Sequence, residues 1–187
     1  MQYKFILDKT DYDGTQLKSL FAYMNHGVLG DSIVAFIGAC DISFDHMVDG
    51  EDVLAGAEIR GASMLHFIIE EFGISLELAV TRQRLFAAMI FEELVKQNKA
   101  NQNELFREGD DIYFADKKLS ISIATVSPVS SLIHFALNIN NENTPVKTIS
   151  LNDLGIEPKL FSDLLGVRFI SEIKSIKEAC CKVRWVK

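Results

Sequence analysis

The most informative stretch of this sequence is Asp110-Asp111-Ile112-Tyr113-Phe114-Ala115-Asp116-Lys117-Lys118-Leu119-Ser120. A tight turn at residues 115 and 116 is expected to join two strands, Ile112–Phe114 and Leu119–Ile123, in a β-hairpin. In such a hairpin Asp111 and Lys118 lie near one another across the two strands. A carboxylate paired with an ammonium suits a site for magnesium and phosphate, because magnesium prefers oxygen ligands and lysine supplies a compact positive charge. The same pair also fits a solvent-exposed hairpin tip, so the residues alone leave both interpretations open.

The segments around this hairpin predict an α+β fold. Strands are indicated at 2–8, 32–37, 118–125 and 132–139. Helices are indicated at 15–24, 76–97, 160–165 and 169–179. The helix 76–97 is the clearest, because Phe86, Ile90 and Leu94 recur every four residues. The segment 64–72 fits a strand or a helix, and 41–58 is acidic and irregular. Strands and helices are grouped rather than alternating, which argues against a doubly wound sheet.

Composition limits the classes of function. The chain has 187 residues, of which 48% are hydrophobic and 24% charged, so we expect a single domain over 1–187 with an ordinary core. The formal net charge of -7 and the scattered basic residues argue against nucleic-acid binding. No apolar run approaches the ~20 residues of a membrane span, and no signal peptide is evident. Three cysteines without a C-x-x-C pair indicate reduced thiols, so we expect a cytoplasmic protein without a membrane partner.

Two further features are candidates for ligand contacts. Residues 58–63 contain Arg60-Gly61 among small residues, and a loop of this kind brings a guanidinium and backbone N–H groups to an anion. An isolated Arg-Gly pair is also common in ordinary turns. His134 lies in an apolar strand, where a histidine is commonly a hydrogen-bonded structural residue.

Several motifs, taken in order along the chain, resemble those of biotin and lipoate protein ligases and octanoyltransferases. The hairpin at 110–120 is similar to the Asn-Asp-Ile-Tyr…Lys-Lys hairpin of the biotin ligases. Ala136-Leu137-Asn138-Ile139-Asn140 resembles their Gly-x-Asn-Val-Asn strand, and Ser150-Leu151-Asn152-Asp153-Leu154-Gly155 resembles their Ser-Leu-x-x-Leu-Gly turn. Arg60-Gly61 stands where those proteins carry a glycine-rich arginine loop. The whole sequence also resembles an uncharacterised prokaryotic family of unknown function, most recognisably at 30–36 and 127–135.

This resemblance implies a ligase-like (class II synthetase-like) fold, with a mixed, mainly antiparallel sheet flanked by helices. It makes 58–156 the ligase-like core, followed by a C-terminal helical segment at 157–187. It favours a strand at 64–72, because the family places a strand directly after the arginine loop and a long helix after that strand. The implied cofactors are ATP and Mg²⁺, and the implied ligand is a small carboxylic acid or acyl group.

The resemblance also implies roles for individual residues. Lys118 corresponds to the lysine that holds the substrate carboxylate and the acyl phosphate, and is the expected catalytic residue. Stabilising a developing anion with a placed cation is commonly the largest catalytic effect. Asp111, with Asp110 beside it, is the expected magnesium ligand. The expected substrate contacts are Arg60, Gly61, Lys117, His134 and Asn138.

The sequence also departs from the motifs that it resembles. Asp110 replaces an asparagine and adds negative charge beside the expected phosphate site. Ile121 replaces a glycine that lets a ligand approach the backbone, and its branched side chain narrows that space. The arginine loop has no run of glycines, and the octanoyltransferase cysteine is absent from residues 144–148.

The sequence therefore leaves the choice between an enzyme and a binding protein open. The first hypothesis is an acyltransferase or an ATP-dependent ligase of a carboxylic acid. The second is a non-catalytic protein on the same fold that binds a small anion or serves as an assembly subunit, and a homodimer is compatible with either. A third is a metal-dependent hydrolase built on the acidic segment 41–52, where Asp45, His46, Asp49 and Glu51 are candidate ligands; a solvated acidic loop is the simpler interpretation.

Overall fold

The computed structural model describes residues 1–98 and 103–186. The strands in this part of the chain are β1 Gln2–Phe5, β2 Ser32–Ile42, β3 Ile59–Phe72, β4 Leu105–Glu108, β5 Asp111–Phe114, β6 Lys117–Lys118, β7 Ser120–Val126 and β8 Ser130–Asn138. The helices are α1 Phe21–His26, α2 Gly50–Ala55, α3 Leu76–Gln97 and α4 Pro158–Cys181. Within these ranges, no helix combines the length and the hydropathy needed to cross a bilayer.

The strands form two sheets. The larger has the order β1-β2-β3-β8-β7, and all its neighbours are antiparallel except the parallel pair β1 and β2. The smaller contains β4, β5 and β6 in antiparallel order. The predicted α+β fold with a mainly antiparallel sheet flanked by helices is therefore confirmed. The predicted hairpin is present, since Tyr113 pairs with Lys118, but its second arm is β6; residues 120–123, expected to continue that arm, belong to β7 of the large sheet.

The two long helices cover one face of the large sheet. Alternation along β3 directs Leu65, Phe67 and Ile69 towards α3 and α4. Phe86 of α3 is fully buried at the centre, and its ring meets the edges or faces of Phe67, Phe135 and Phe169 at centroid distances of 5.1–5.6 Å. Such tilted aromatic contacts stabilise a core beyond the burial of their area. The helix predicted at 76–97 coincides with α3 because its apolar stripe matches this core.

The opposite face of the sheet is covered in part by the chain between β1 and β2. Tyr12 and Phe21 pack there against Val34, Phe36 and Ile68. The segment that carries Tyr12 passes so close to β2 that a Cβ atom on Gly38 would lie 1.9 Å from the backbone oxygen of Thr10. Gly38 lies at a register shift in β2, and this approach places Tyr12 over the sheet.

Several sequence-based boundaries were wrong. Residues 58–63 were expected to form a loop, but β3 begins at Ile59, because residues 59–61 pair with residues 40–42 of β2. The helix expected at 15–24 is α1 at Phe21–His26, and Leu20 before it has a left-handed backbone with φ 63°. The segment 41–58 contains the short helix α2, which Asp49 caps by accepting a hydrogen bond from the backbone of Glu51. The two C-terminal helical patterns belong to the single helix α4.

We expect Gly38→Ala to lower the free energy of unfolding by about 1 to 3 kcal/mol, because the new methyl group would overlap the backbone of Thr10. Urea denaturation followed by circular dichroism measures this change. Gly50→Ala is the matched control, because it lies at the first position of α2 with open space around it, and it should change stability by less than about 1 kcal/mol. If the two substitutions lower the free energy of unfolding equally, the close approach of the Thr10 backbone to Gly38 is contradicted.

Candidate functional site

A cavity of about 450 Å³ opens on the face of the sheet opposite α3 and α4. Its polar wall includes Arg60 of β3, Asp111 of β5, Lys118 of β6, and His134 and Asn138 of β8. Its apolar wall includes Tyr12, Ile42, Ile59, Met64, Ile121 and Val146. The cavity volume lies within the range typical of small-molecule sites. Most of the residues predicted to bind a ligand therefore share one cavity.

Lys118 and Asp111 form the ion pair that the hairpin predicts. The Lys118 ammonium lies 2.9 Å from Oδ2 of Asp111, and both side chains are about 30% exposed. The Tyr113 hydroxyl donates to the same oxygen at 3.2 Å. The backbone of Lys118 is held on both sides, since its N–H donates to Lys147 and its carbonyl accepts from Ile149. The lysine is therefore fixed at the cavity wall by main-chain contacts.

Arg60 lines the cavity, whereas Gly61 does not. The Arg60 guanidinium lies 2.7 Å from the Glu58 carboxylate, and both side chains are about half exposed, so the pair adds little stability. Gly61 is buried within β3, where an added Cβ would lie 3.1 Å from Sδ of Met64. Neither residue forms the phosphate-binding loop expected from the sequence, because both belong to a strand.

The contacts and exposure of Lys117 and Asp110 indicate roles other than ligand binding. Lys117 is exposed and does not line the cavity, because adjacent strand residues face opposite sides. Asp110 does line the cavity, but its Oδ2 accepts hydrogen bonds from Gln83 at 2.8 Å and Ser122 at 2.7 Å, and its Oδ1 lies 3.2 Å from Arg84. These contacts join α3 to the hairpin and β7.

The residues predicted to bind Mg²⁺ do not fit that ion well in this arrangement. Both oxygens of Asp110 are engaged, and Oδ2 of Asp111 contacts Lys118 and Tyr113. Over the described ranges, no group of three or more His, Cys, Asp or Glu side chains is placed to hold a metal, and this includes the acidic segment 41–52. Magnesium binding by Asp110 and Asp111 therefore remains a prediction that these contacts do not favour.

Asn138 connects three segments at the edge of the cavity. Its Nδ2 donates to the carbonyls of Lys118 and Ile149 at 3.2 and 3.3 Å, and the side chain is buried. It therefore fixes the backbone that carries Lys118. Of its polar atoms, Oδ1 is the one left for a ligand within the described part of the chain.

A pair of buried histidines lies beneath the cavity, and sequence reasoning identified only one of them. Nε2 of His134 lies 3.0 Å from Nδ1 of His66, and Nε2 of His66 lies 3.3 Å from the Gly38 carbonyl. The Tyr12 ring stacks on His134 with a centroid distance of 3.7 Å. Burial lowers the pKa of His66 to about 4 and the pKa of His134 well below its ordinary value. The available signal was a second histidine inside the apolar run 64–72.

The rim of the cavity is acidic. Asp49, Glu51 and Asp52, from α2 and the residue before it, border the same cavity as Lys118. Burial and the nearby Asp49 carboxylate raise the pKa of Asp52, whereas Lys118 lowers it. An anion that enters the cavity therefore needs direct contact with Lys118 or Arg60 to offset repulsion from this rim.

Comparisons with known proteins agree with this architecture. The profile of DUF366, a domain of unknown function, matches residues 1–184. An uncharacterized protein of Methanocaldococcus jannaschii is 33% identical over 181 residues, which cover 92% of this chain and 80% of that protein. A protein of unknown function from Pyrococcus horikoshi has a solved structure with a TM-score of 0.91 and 40% identity, covering 100% of this chain and 99% of the other.

A more distant likeness identifies the fold. Biotin protein ligase from Aquifex aeolicus, in complex with biotin and ATP, superposes with a TM-score of 0.58 at 14% identity, covering 95% of this chain and 72% of the ligase. At this identity the likeness shows the fold alone. The ligase-like fold implied by the sequence motifs is thereby confirmed.

We expect the histidine pair to make stability depend on pH between about 4 and 6.5. The folded-state pKa of His66 is about 4, below its ordinary value of 6.5, so the unfolded chain binds more protons in this window and stability falls as pH decreases. The loss attributable to His66 is about 2 to 3 kcal/mol between pH 7 and 4.5. Urea denaturation at several pH values measures it.

His66→Phe should remove the part of this dependence that is due to His66 and leave the part that is due to His134, whose pKa is also lowered by burial. His46→Gln serves as the control substitution, because His46 is exposed and is not part of the buried pair. A wild-type slope that persists in His66→Phe would contradict the assignment.

Proposed function

The chain belongs to the DUF366 family, and from this premise we propose that it binds a small carboxylic acid, or the acyl group of one, in the cavity beside Lys118. The observation that carries the proposal is a fixed ammonium group at the wall of a cavity of about 450 Å³ that is also lined by apolar side chains. Such a cavity provides separate places for the two ends of an acyl compound.

Lys118 supplies the contact for the carboxylate. An ammonium group has three N–H donors, and in the described part of the chain the Lys118 ammonium is paired with one side chain, that of Asp111. The remaining donors are available to a ligand, while Asp111 holds the side chain in place. Arg60 provides a second cation at the cavity wall, and its planar guanidinium can bind a carboxylate through two hydrogen bonds.

The apolar wall supplies the contact for the hydrocarbon part. Ile59, Met64 and Ile121 line the cavity and pack in or against the core of this face of the sheet. Burying apolar ligand surface against them contributes about 25 cal/mol per Å². The branched side chain of Ile121 narrows the cavity, so the proposed ligand is a slender acyl chain or a small ring.

The enzymatic form of this proposal is acyl transfer or ATP-dependent ligation through an acyl-adenylate. Lys118 would then stabilise negative charge on the carboxylate and on the acyl phosphate, as the motifs imply. The residues present do not support a step through Mg²⁺, because the oxygens of Asp110 are engaged and Asp111 is paired.

The second candidate is non-catalytic binding of the same acid, on a chain that acts as a carrier or assembly subunit. The specific observation that favours it is that residues 59–61, expected in a phosphate-binding loop, are hydrogen-bonded in a β-ladder with β2. Their backbone N–H groups are therefore less available to a nucleotide phosphate.

We expect Lys118→Ala to weaken binding of biotin, lipoate or octanoate, whichever binds the wild type, by about ten- to a hundredfold. The reason is the loss of a charge-assisted hydrogen bond, which contributes about 1.5–3 kcal/mol. Isothermal titration calorimetry measures the affinities. Lys117→Ala is the matched control, because this neighbouring lysine is exposed and lies outside the cavity lining, and its affinity should be unchanged.

The titrations are repeated with ATP and magnesium to separate the two forms of the proposal. Tighter binding with ATP and release of pyrophosphate support ligation, whereas unchanged binding supports the non-catalytic form. If none of the three acids binds, or if Lys118→Ala and Lys117→Ala behave alike, the proposed site is wrong.

A further inference from the structure

The histidine pair beneath the cavity has a fixed arrangement of protons. The Gly38 carbonyl is an acceptor only, so Nε2 of His66 must carry the hydrogen of the contact between them. Both rings are fully or almost fully buried, and burial lowers the pKa of each, so both are neutral at pH 7 and carry one N–H each. Nδ1 of His66 is therefore unprotonated.

The contact between the two histidine rings fixes the protonation state of His134. Because Nδ1 of His66 has no hydrogen, Nε2 of His134 must donate across the 3.0 Å that separates them. Nδ1 of His134 is then a bare acceptor. Among the described residues, this atom has no hydrogen-bond partner. It is also not fully shielded from solvent. Because His134 lines the cavity, the atom is accessible from there.

Packing prevents the His134 ring from turning away. Tyr12 stacks on it at 3.7 Å with an interplanar angle of 11°, and His134 is 2% exposed. An acceptor held in this way is satisfied only by water or by a donor on a ligand. A ligand without a donor would leave a desolvated nitrogen unpaired, which is costly in a buried site.

We propose that Nδ1 of His134 accepts a hydrogen bond from an N–H or O–H group of the ligand, and so makes the cavity selective for carboxylic acids that carry such a donor away from the carboxylate. This inference rests on the proposed function, since it specifies the ligand of the same cavity. His134 is thus a specificity-determining residue, and His66 is a positioning residue that sets its tautomer.

The tautomers can be tested without any ligand. Long-range ¹H–¹⁵N correlation spectra of the full chain should show a proton on Nε2 and none on Nδ1 for both histidines, unchanged down to about pH 5. A proton on Nδ1 of His134 overturns the inference, whatever the protein binds.

The selectivity is tested with two acids that share a pentanoate chain. Biotin carries ureido N–H donors on its ring, whereas the dithiolane ring of lipoate has none. Wild-type protein should bind biotin at least about tenfold more tightly than lipoate, and His134→Phe, which keeps an aromatic ring against Tyr12, should reduce this ratio to about one. His66→Phe should reduce the ratio partly, because His134 then has two accessible tautomers.

The outcomes separate this inference from the proposed function. Lys118→Ala should weaken both acids and leave their ratio unchanged, since it acts at the carboxylate. Equal wild-type affinities for biotin and lipoate overturn the inference and leave the proposed function standing. Failure of both acids to bind overturns the inference together with the proposed choice of ligand.

Discussion

The antiparallel pairing of β3 with β8 joins the core to the cavity. Nine registered residue pairs, from Met64 with Asn138 to Phe72 with Ser130, hold the two strands together at the centre of the large sheet. Alternation along this ladder directs Phe67 and Phe135 towards the helices and His66 and His134 towards the opposite face. A slip of one residue would exchange these two sets, so the aromatic core fixes the position of the histidines.

The cavity combines an anchored cation with an acidic environment. Lys118 and Arg60 are accompanied at the cavity wall by more carboxylates than they can neutralise, including Asp49, Glu51 and Asp52. Long-range attraction therefore does little to draw an anion in, and affinity must come from direct contact and from the apolar wall. This arrangement favours a specific ligand over small anions in general, because only a molecule that fills both parts of the cavity gains enough free energy.

Two polar networks near the cavity differ in whether they leave a hydrogen-bonding atom free to contact a ligand. The network around Asp110 is closed, since Gln83, Ser122 and Arg84 use both carboxylate oxygens and fasten α3 to the hairpin. The hydrogen-bonded chain that runs through His66 to His134 ends at Nδ1 of His134, an acceptor that faces the cavity. The network around Asp110 therefore stabilises and positions the hairpin, whereas the unpaired acceptor of His134 makes the cavity favour ligands that carry a hydrogen-bond donor.

Local patterns in the sequence determined the helix 76–97 and the hairpin that pairs Asp111 with Lys118, because these depend on periodicity and turn chemistry. The ligase-like fold was implied by the resemblance of the motifs to those of a known family. Only the tertiary structure decided that residues 59–61 extend β3, since small residues favour a loop locally and it was pairing with β2 that ordered them. It also decided that Asp110 is engaged by α3 and that His66 lies beside His134. Both contacts join residues far apart in the chain, and no local pattern specifies the register that brings them together.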